Sequence, residues 1–524
     1  MYQTIMVPLD GSDLAECVFP HVETLAQLDR FNRYEIMPLE RFKVLELLIG
    51  QVGYLQGEMA KKFTAKHAPL EAPEQAAWNV VDALWRALGE GYQRCLQALV
   101  DGNSDLVDHG AAIALRCLQV IGLRMLEYYR TYLQLPPALW RQLYMIYGYA
   151  EKRAYLDQPV MNPLLEKPEE TTCEGIFVKA LLVHLADPYQ LTPRQLAQAV
   201  RWLDKWSMRV AVLDEPPANL AKLSPIALDI KGDQPPLAGT MVKSRTVNRY
   251  LDNAELAASL RKRIKFLRNG GSPAKLDLGE DCVQPSCETF LTALYKHWCE
   301  VDGHRAFERR ASAAKALTAS GLAGIHFYVS EEKPFKQPGH DEDITWQEAQ
   351  DLKMFGRVSN HTQKLSASQL GYALENWQIV DESAMGFCLR RPIGQGGRLA
   401  HHQLVAVKPP DSPQFVIGVI RWLQLTLKGE LHMGVCVMPG MPKAIAARGV
   451  SLNLANPNRY TQIFWLPALP ALNQPPSLVI PSGWYQPKKH LQLYDNKEIR
   501  VEITGLIERG SDYERVTYLN LESR

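Results

Sequence analysis

ENWQIVDESAMGFCLRR (375–391), GGRLAHHQLVAVKPP (396–410) and FVIGVIRWLQLTLKGELHMGVCVMP (415–439) are three pieces of one pattern. Apolar residues alternate with others through Trp377–Ile379 and again from Val416 to Leu423. A period of two marks strands of an antiparallel sheet with one buried face, which points to a barrel or a sandwich. Between the first two strands lies Asp381-Glu382-Ser383-Ala384-Met385-Gly386. There a carboxylate and a hydroxyl two residues apart precede a glycine expected to take positive φ. Such a turn aims two polar side chains at one ligand.

Working outward, Asp-x-Ser-x-x-Gly is followed by a strand, a Gly-rich turn, a second strand, and a Val-x-Arg-Trp strand that leads into Gly-Val-x-Val. This series resembles the PilZ domain, and the resemblance implies a small six-stranded barrel that binds cyclic di-GMP. The family's ligand motif has two halves. The Asp-x-Ser-x-x-Gly half is present at Asp381, Ser383 and Gly386, and the Arg-x-x-x-Arg half matches Arg305 and Arg309, followed by Arg310. Guanidinium groups are planar forks that grip phosphate oxygens and stack on purines, which suits a cyclic dinucleotide. The first strand is expected at GLAGIHFYV, Gly321 to Val329. Arg309 lies 72 positions before Asp381, a longer interval than the family's, so an insertion is expected over about 330–370, helical from Thr345 to Phe355. A rival clamp is Lys353 and Arg357, the latter 24 positions before Asp381, where a lysine would supply charge without stacking.

The 524 residues are 46% hydrophobic and 22% charged, with net charge +1. That is the balance of a soluble globular protein of two to four domains, without the basic field that attracts nucleic acid or anionic membrane. With no run of about 18 apolar residues and no leader-like start, a cytoplasmic protein without membrane insertion is expected. Nine scattered cysteines suggest reduced thiols. Cys282 and Cys287, four residues between them and with His297 and Cys299 beyond, have poor spacing for zinc, and no metal or other cofactor is expected.

The first 28 residues, MYQTIMVPLDGSDLAECVFPHVETLAQL, resemble the opening β-α unit of the universal stress protein family. In nucleotide-binding members the residue matching Asp10 contacts adenine. The family's closing phosphate loop has no counterpart here, so residues 1–28 read as a fused fragment. From Met37 to Trp206 the three-and-four spacing of apolar residues predicts helices, near 73–100, 106–133, 137–156, 173–186 and 192–206. Their aromatics suit a core or a groove for a protein partner. Residues 208–300 read as mixed: strands in MRVAVLD and PIALDI, then a helix over Asp252–Leu267 crowded with Arg261, Lys262, Arg263, Lys265 and Arg268. The tail from 471 reads as β structure that extends the barrel or packs on it.

The sequence thus predicts a multidomain α+β protein. A stress-protein-like fragment (1–28), a helical module (29–207) and a mixed region (208–300) precede a PilZ-like barrel (301–470) and a β extension (471–524). No nucleophile-base or paired-carboxylate constellation stands out, so a non-enzymatic effector is expected, coupling cyclic di-GMP to an unidentified protein through its helical module. The alternatives are a structural adaptor with a ligand-free barrel, or a stress-type nucleotide-binding protein. Arg305 and Arg309 are expected to wrap over the dinucleotide and meet Asp381 and Ser383.

Overall fold

The computed structural model describes residues 14–165, 167–217, 223–244, 246–300, 309–338, 350, 353–354, 367, 370–450 and 459–521. The chain divides into two compact units, Met1–Arg305 and Ala306–Arg524.

The first unit is helical. Its main helices are α1 (Leu14–Arg33), α2 (Pro38–Ala60), α3 (Ala72–Val100), α4 (Gly110–Arg130), α5 (Pro137–Lys152), α6 (Cys173–Leu185), α7 (Pro193–Trp206), α8 (Ala254–Arg268) and α9 (Ser286–Cys299). Starts follow local chemistry: α2, α3, α5 and α7 open on prolines in the first turn, and Thr192 caps α7 by accepting from the Gln195 amide. The short strands β1 (Val160–Asn162) and β2 (Glu169–Thr171) form a hairpin, and β3 (Ala211–Leu213), β4 (Ile226–Leu228), β5 (Leu237–Ala238) and β6 (Arg249–Asp252) a small sheet in the order β3-β6-β4-β5. One apolar core runs from Leu28 on α1 to Cys299 on α9. The expected division between a helical module and a mixed region at 208 therefore has no counterpart in the packing.

Three further expectations change here. The stretch read as the stress-protein strand, with Asp10, lies outside the described residues, and α1 continues through residue 28 into the helical core, where His21 and Leu28 are buried. Residues 14–28 are thus the start of the bundle rather than a separate fragment. Cys282 and Cys287 are bonded to each other, so the expectation of reduced thiols throughout fails at that pair. Among the described residues, the stretch Ser104–Arg130 is long and apolar enough to cross a membrane, but two thirds of its most apolar window is buried, because α4 is the central helix of the bundle. Arg116 on that helix is buried and holds both Glu46 oxygens, at 2.8 and 2.9 Å, and the Met161 carbonyl.

The second unit holds two barrels. The first comprises β8 (Lys315–Ser320), β9 (Glu375–Ser383), β10 (Gly386–Pro392), β11 (Leu404–Lys408), β12 (Val416–Leu425) and β13 (Glu430–Val437). Its six strands close in the order β10-β13-β12-β11-β8-β9 because β9 pairs with both β8 and β10, and the two-residue β7 (Arg310–Ala311) adds to β9. Trp377, Ile379, Leu389, Val405, Val407, Ile420, Leu423, Leu431 and Met433 are fully or almost fully buried and supply its core. The second barrel, β14 (Lys443–Gly449), β15 (Thr461–Leu466), β16 (Ser477–Pro481), β17 (His490–Tyr494), β18 (Glu498–Arg509) and β19 (Tyr513–Asn520), closes in the order β14-β15-β16-β19-β18-β17. The expected β extension from 471 is therefore part of a separate barrel that begins at Lys443.

GLAGIHFYV is not a strand. The first barrel strand is the preceding Lys315–Ser320, Gly321 turns the chain at φ 75°, and Leu322–Val329 is a helix, α10. Ile325, Phe327 and Tyr328 pack with Leu404, Ile417 and Val419 of the first barrel and Phe464, Leu466 and Val479 of the second. A segment enclosed on all sides is apolar on all sides, and so lacks the periodicity that separates helix from strand. Of the insertion expected over 330–370, Gln350, Lys353 and Met354 are helical, and most of the rest lies outside the described residues.

Candidate ligand site on the first barrel

The Asp381–Gly386 segment is a tight hairpin. Ser383 pairs with Gly386, and Ala384 and Met385 form the turn. Gly386 does not take the positive φ expected from the sequence. Its requirement is space: a Cβ there would collide with the Val435 carbonyl of β13. Farther along β9 an extra residue, Val380, bulges between Ile379 and Asp381 and offers its carbonyl to the Ser312 amide at 3.0 Å. The bulge keeps Ile379 inside the barrel while Asp381 and Ser383 face out, since it resets the alternation.

Arg309 lies beside Asp381. Its guanidinium donates to the Asp381 carboxylate in an ion pair whose side chains are 35% and 31% exposed. Backbone pairing of Arg310 with Glu382 and of Ala311 with Asp381 holds the segment against β9. The Arg310 residue is exposed, and the Ser383 hydroxyl is 3.4 Å from the Gly386 carbonyl. Arg305 and Arg357 lie outside the described residues, and Lys353, the rival cation, is exposed.

Register shows what the sequence reading missed. One cross-strand row runs Trp422, Gly434, Cys388, Asp381, and the next runs Val419, Cys436, Gly386, Ser383. Between Ser383 and Asp381 on one side and Trp422 on the other, the outer face is floored by two glycines and two cysteines. Three strand spacings of about 4.8 Å set the Asp381 and Trp422 backbones roughly 14 Å apart, on either side of a shallow trough. Trp422 is half-buried and its indole lies against Gly434, where any Cβ would strike the ring. Cys388 is buried beneath the Arg309–Asp381 pair. Burial pushes its thiol up to about 11, the Asp381 carboxylate adds to this, and Arg309 and Arg390 oppose it. In the adjoining row Arg390 donates to Gln378 at 3.0 Å and lies 3.4 Å from Glu430. A hydrogen bond from His432 is the main cause of the lowered Glu430 pKa. The sequence did carry a signal: glycine inside a strand marks a close approach, and Gly434 sits in the middle of β13.

A second bulge, at Arg421 on β12, lies beside Trp422. Arg421 pairs with Glu508 of the second barrel at 2.5 Å. His401 and His402 form the nearby turn, with His402 at φ 59°. The His402 carbonyl accepts from the Ser511 amide at 2.9 Å, and the Leu404 amide donates to Asp512 at 2.9 Å. The wall of the trough thus adjoins the joint between barrels. In the helical unit, the basic cluster on α8 is a helix face: Arg263 lies 5.3 Å from the Trp206 ring and Arg268 pairs with Glu288. Among the described residues no group of His, Cys, Asp or Glu is placed to hold a metal ion.

Comparison with known proteins finds matches in both units. Residues 337–441 match the family model described as "Cyclic-di-GMP receptor FimW, middle PilZ domain". Residues 13–217 match the model for the N-terminal domain of the same receptor, and residues 445–521 the "FimW C-terminal beta-barrel domain". Over 504 residues the chain is 21% identical to the protein named "Cyclic-di-GMP receptor FimW" of Pseudomonas aeruginosa, covering 87% of this chain and 80% of that one. The first barrel is a PilZ domain, and the helical unit begins within the N-terminal match, which leaves the stress-protein resemblance without support.

Proposed function

We propose that this chain is a cyclic di-GMP receptor of the PilZ type, a binding effector rather than a catalyst, with the dinucleotide lying in the trough between Asp381 and Trp422. The observation that carries the reading is the Arg309–Asp381 pair, which unites both halves of the ligand motif across 72 residues of chain. Similarity to a protein named as such a receptor supports it.

The pair is a third exposed, and surface ion pairs contribute only about 0–1 kcal/mol. A phosphodiester can therefore draw the Arg309 guanidinium away at little cost and leave Asp381 to accept from the N–H groups of a guanine edge. Trp422 offers a stacking face, and base–aromatic stacking is worth about 1–3 kcal/mol per base. Gly434 is covered by the Trp422 indole, and the small residues beside it, Gly386, Cys388 and Cys436, let a planar ring come close to that indole. Arg305 and Arg310 are proposed to complete the phosphate clamp, with Lys353 and Arg357 the rival pair. A ligand held at Arg309 bears on the chain that leads back to the helical unit, and one held at Trp422 bears on Arg421 and so on the second barrel. Either effect is limited to the ligand's preference for one arrangement. The helical unit is proposed to carry the protein partner, in the cytoplasm.

Calorimetric titration with cyclic di-GMP tests the reading. The parent is expected to bind at micromolar concentration or tighter, and Arg309→Ala at least tenfold more weakly. Absence of heat with the parent would overturn it.

A further inference from the structure

Helix α2 shows opposite faces of different character. Phe42, Leu45, Ile49, Val52 and Met59 are at most 5% exposed, yet on the far side Leu47 is 78% and Tyr54 72% exposed. At about 100° per residue, Glu40, Lys43, Gly50, Gln51 and Glu58 fall within roughly 60° of Leu47, and Lys61, still helical at the C-cap, continues the stripe. A solvated helix face ordinarily carries polar residues at its centre. This one carries a leucine, a tyrosine and a glycine. A Cβ on Gly50 would meet nothing within 4 Å, so nothing inside the chain calls for glycine there, although glycine in a helix costs about 1 kcal/mol relative to alanine.

The order of residues along the stripe is self-complementary. Reversed upon itself about a point between Gly50 and Gln51, it sets Glu40 opposite Lys61, Lys43 opposite Glu58, Leu47 opposite Tyr54 and Gly50 opposite Gln51. Every exposed charge meets its opposite, the two large apolar side chains meet each other, and the glycine falls at the crossing point, where helix axes approach closest. Within one chain Glu40 pairs with Lys43 and Glu58 with Lys61, along the helix. A contact that pairs the same patch with itself is what a two-fold dimer requires.

We propose that this face of α2 binds its counterpart in a second copy of the chain, with the two helices antiparallel about an axis between Gly50 and Gln51. One helix pair buries less than the roughly 1,200–2,000 Å² of a standard stable interface, so the dimer is reversible and forms at micromolar concentrations and above.

Sedimentation velocity of the full chain over a concentration series tests this. The parent is expected to show a monomer–dimer equilibrium that Leu47→Lys abolishes without changing the melting temperature, since Leu47 touches little of its own chain. Glu40→Lys should weaken the dimer at least tenfold, and Glu40→Lys combined with Lys61→Glu should restore it to within about threefold. The double substitution places like charges three residues apart at both ends of the helix, so recovery does not come from pairing along the helix and reports contact between copies. A parent that stays monomeric at every concentration, a dimer indifferent to Leu47→Lys, or a double variant no better than the single would each overturn the proposal.

Discussion

The two barrels have the same strand count and closure but use their strands differently. The second is filled mainly by aliphatic side chains, Ile445, Ile463, Leu478, Ile480, Leu491, Val501, Ile503 and Val516 among them, and its one fully buried carboxylate among the described residues, Glu514, pairs with the half-exposed Arg509 near the end of the strands. Inside the first, Arg391 is buried over the Trp377 ring, 4.8 Å from its centroid and 3.3 Å from Glu375. Outside, the first barrel places Gly386 and Gly434 within strands where larger residues would collide, whereas the interior strand glycine of the second, Gly505, faces only the Thr517 hydroxyl at 3.1 Å. Both barrels therefore hold a buried ion pair, and it is the collision-tight strand glycines that set the first apart. The comparison separates a structural barrel from one that gives up side-chain volume to make a recessed face.

Several measurements would break or sharpen that contrast. The largest effect is expected from Glu375→Ala, which leaves Arg391 buried without its carboxylate. Removing one partner of a buried ion pair costs about 3–5 kcal/mol, whereas Ile503→Val in the second barrel should cost about 0.5–1.5 kcal/mol. Hydrogen exchange followed strand by strand reads the difference, and equal costs would erase the distinction between the interiors.

Within the second unit, acid should act at the joint between barrels. Burial, and then the Arg421 guanidinium, press the His402 pKa down to about 4. A depressed histidine stabilises the fold fully above its unfolded value near 6.5, and that contribution is lost as pH falls toward 4. The loss, at most about 3 kcal/mol, should disappear in His402→Asn, whose side chain also tolerates the left-handed backbone there. Arg421, Glu508 and Asp512 share this region, so the variant, not the pH profile alone, identifies the group.

Gly434→Val should destabilise the first barrel by about 1–3 kcal/mol through overpacking against Trp422 and abolish ligand binding. Gly505→Val on the second barrel should leave the ligand unaffected. Arg309→Ala should move stability by no more than about 1 kcal/mol while weakening cyclic di-GMP by tenfold or more. Such a split between folding and binding marks a residue of the site rather than of the frame.

How much of this was legible beforehand follows from the kind of information each element carries. The strands from Glu375 to Val437 and the helices from Pro38 to Trp206 announce themselves because each has one wet face and one dry face. α10 does not, since it is enclosed between barrels. The Asp-x-Ser-x-x-Gly turn was visible as letters, but Gly386 was given the wrong reason, because a clash with a carbonyl on another strand leaves no local mark. The partnership of Arg309 with Asp381 came from the motif resemblance. Trp422 as the opposite wall required register, which a single sequence states only where glycine interrupts a strand, as at Gly434.

The most direct test of the trough uses a thiol within it. Cys436 is, among the described residues, the free cysteine that is not fully buried, and it forms part of the floor between Ser383 and Trp422. Its alkylation rate, followed by mass spectrometry of the peptide that carries it, should fall at least tenfold when cyclic di-GMP is added at saturating concentration. A rate that stays the same while calorimetry shows the ligand bound would place the dinucleotide elsewhere and contradict the account.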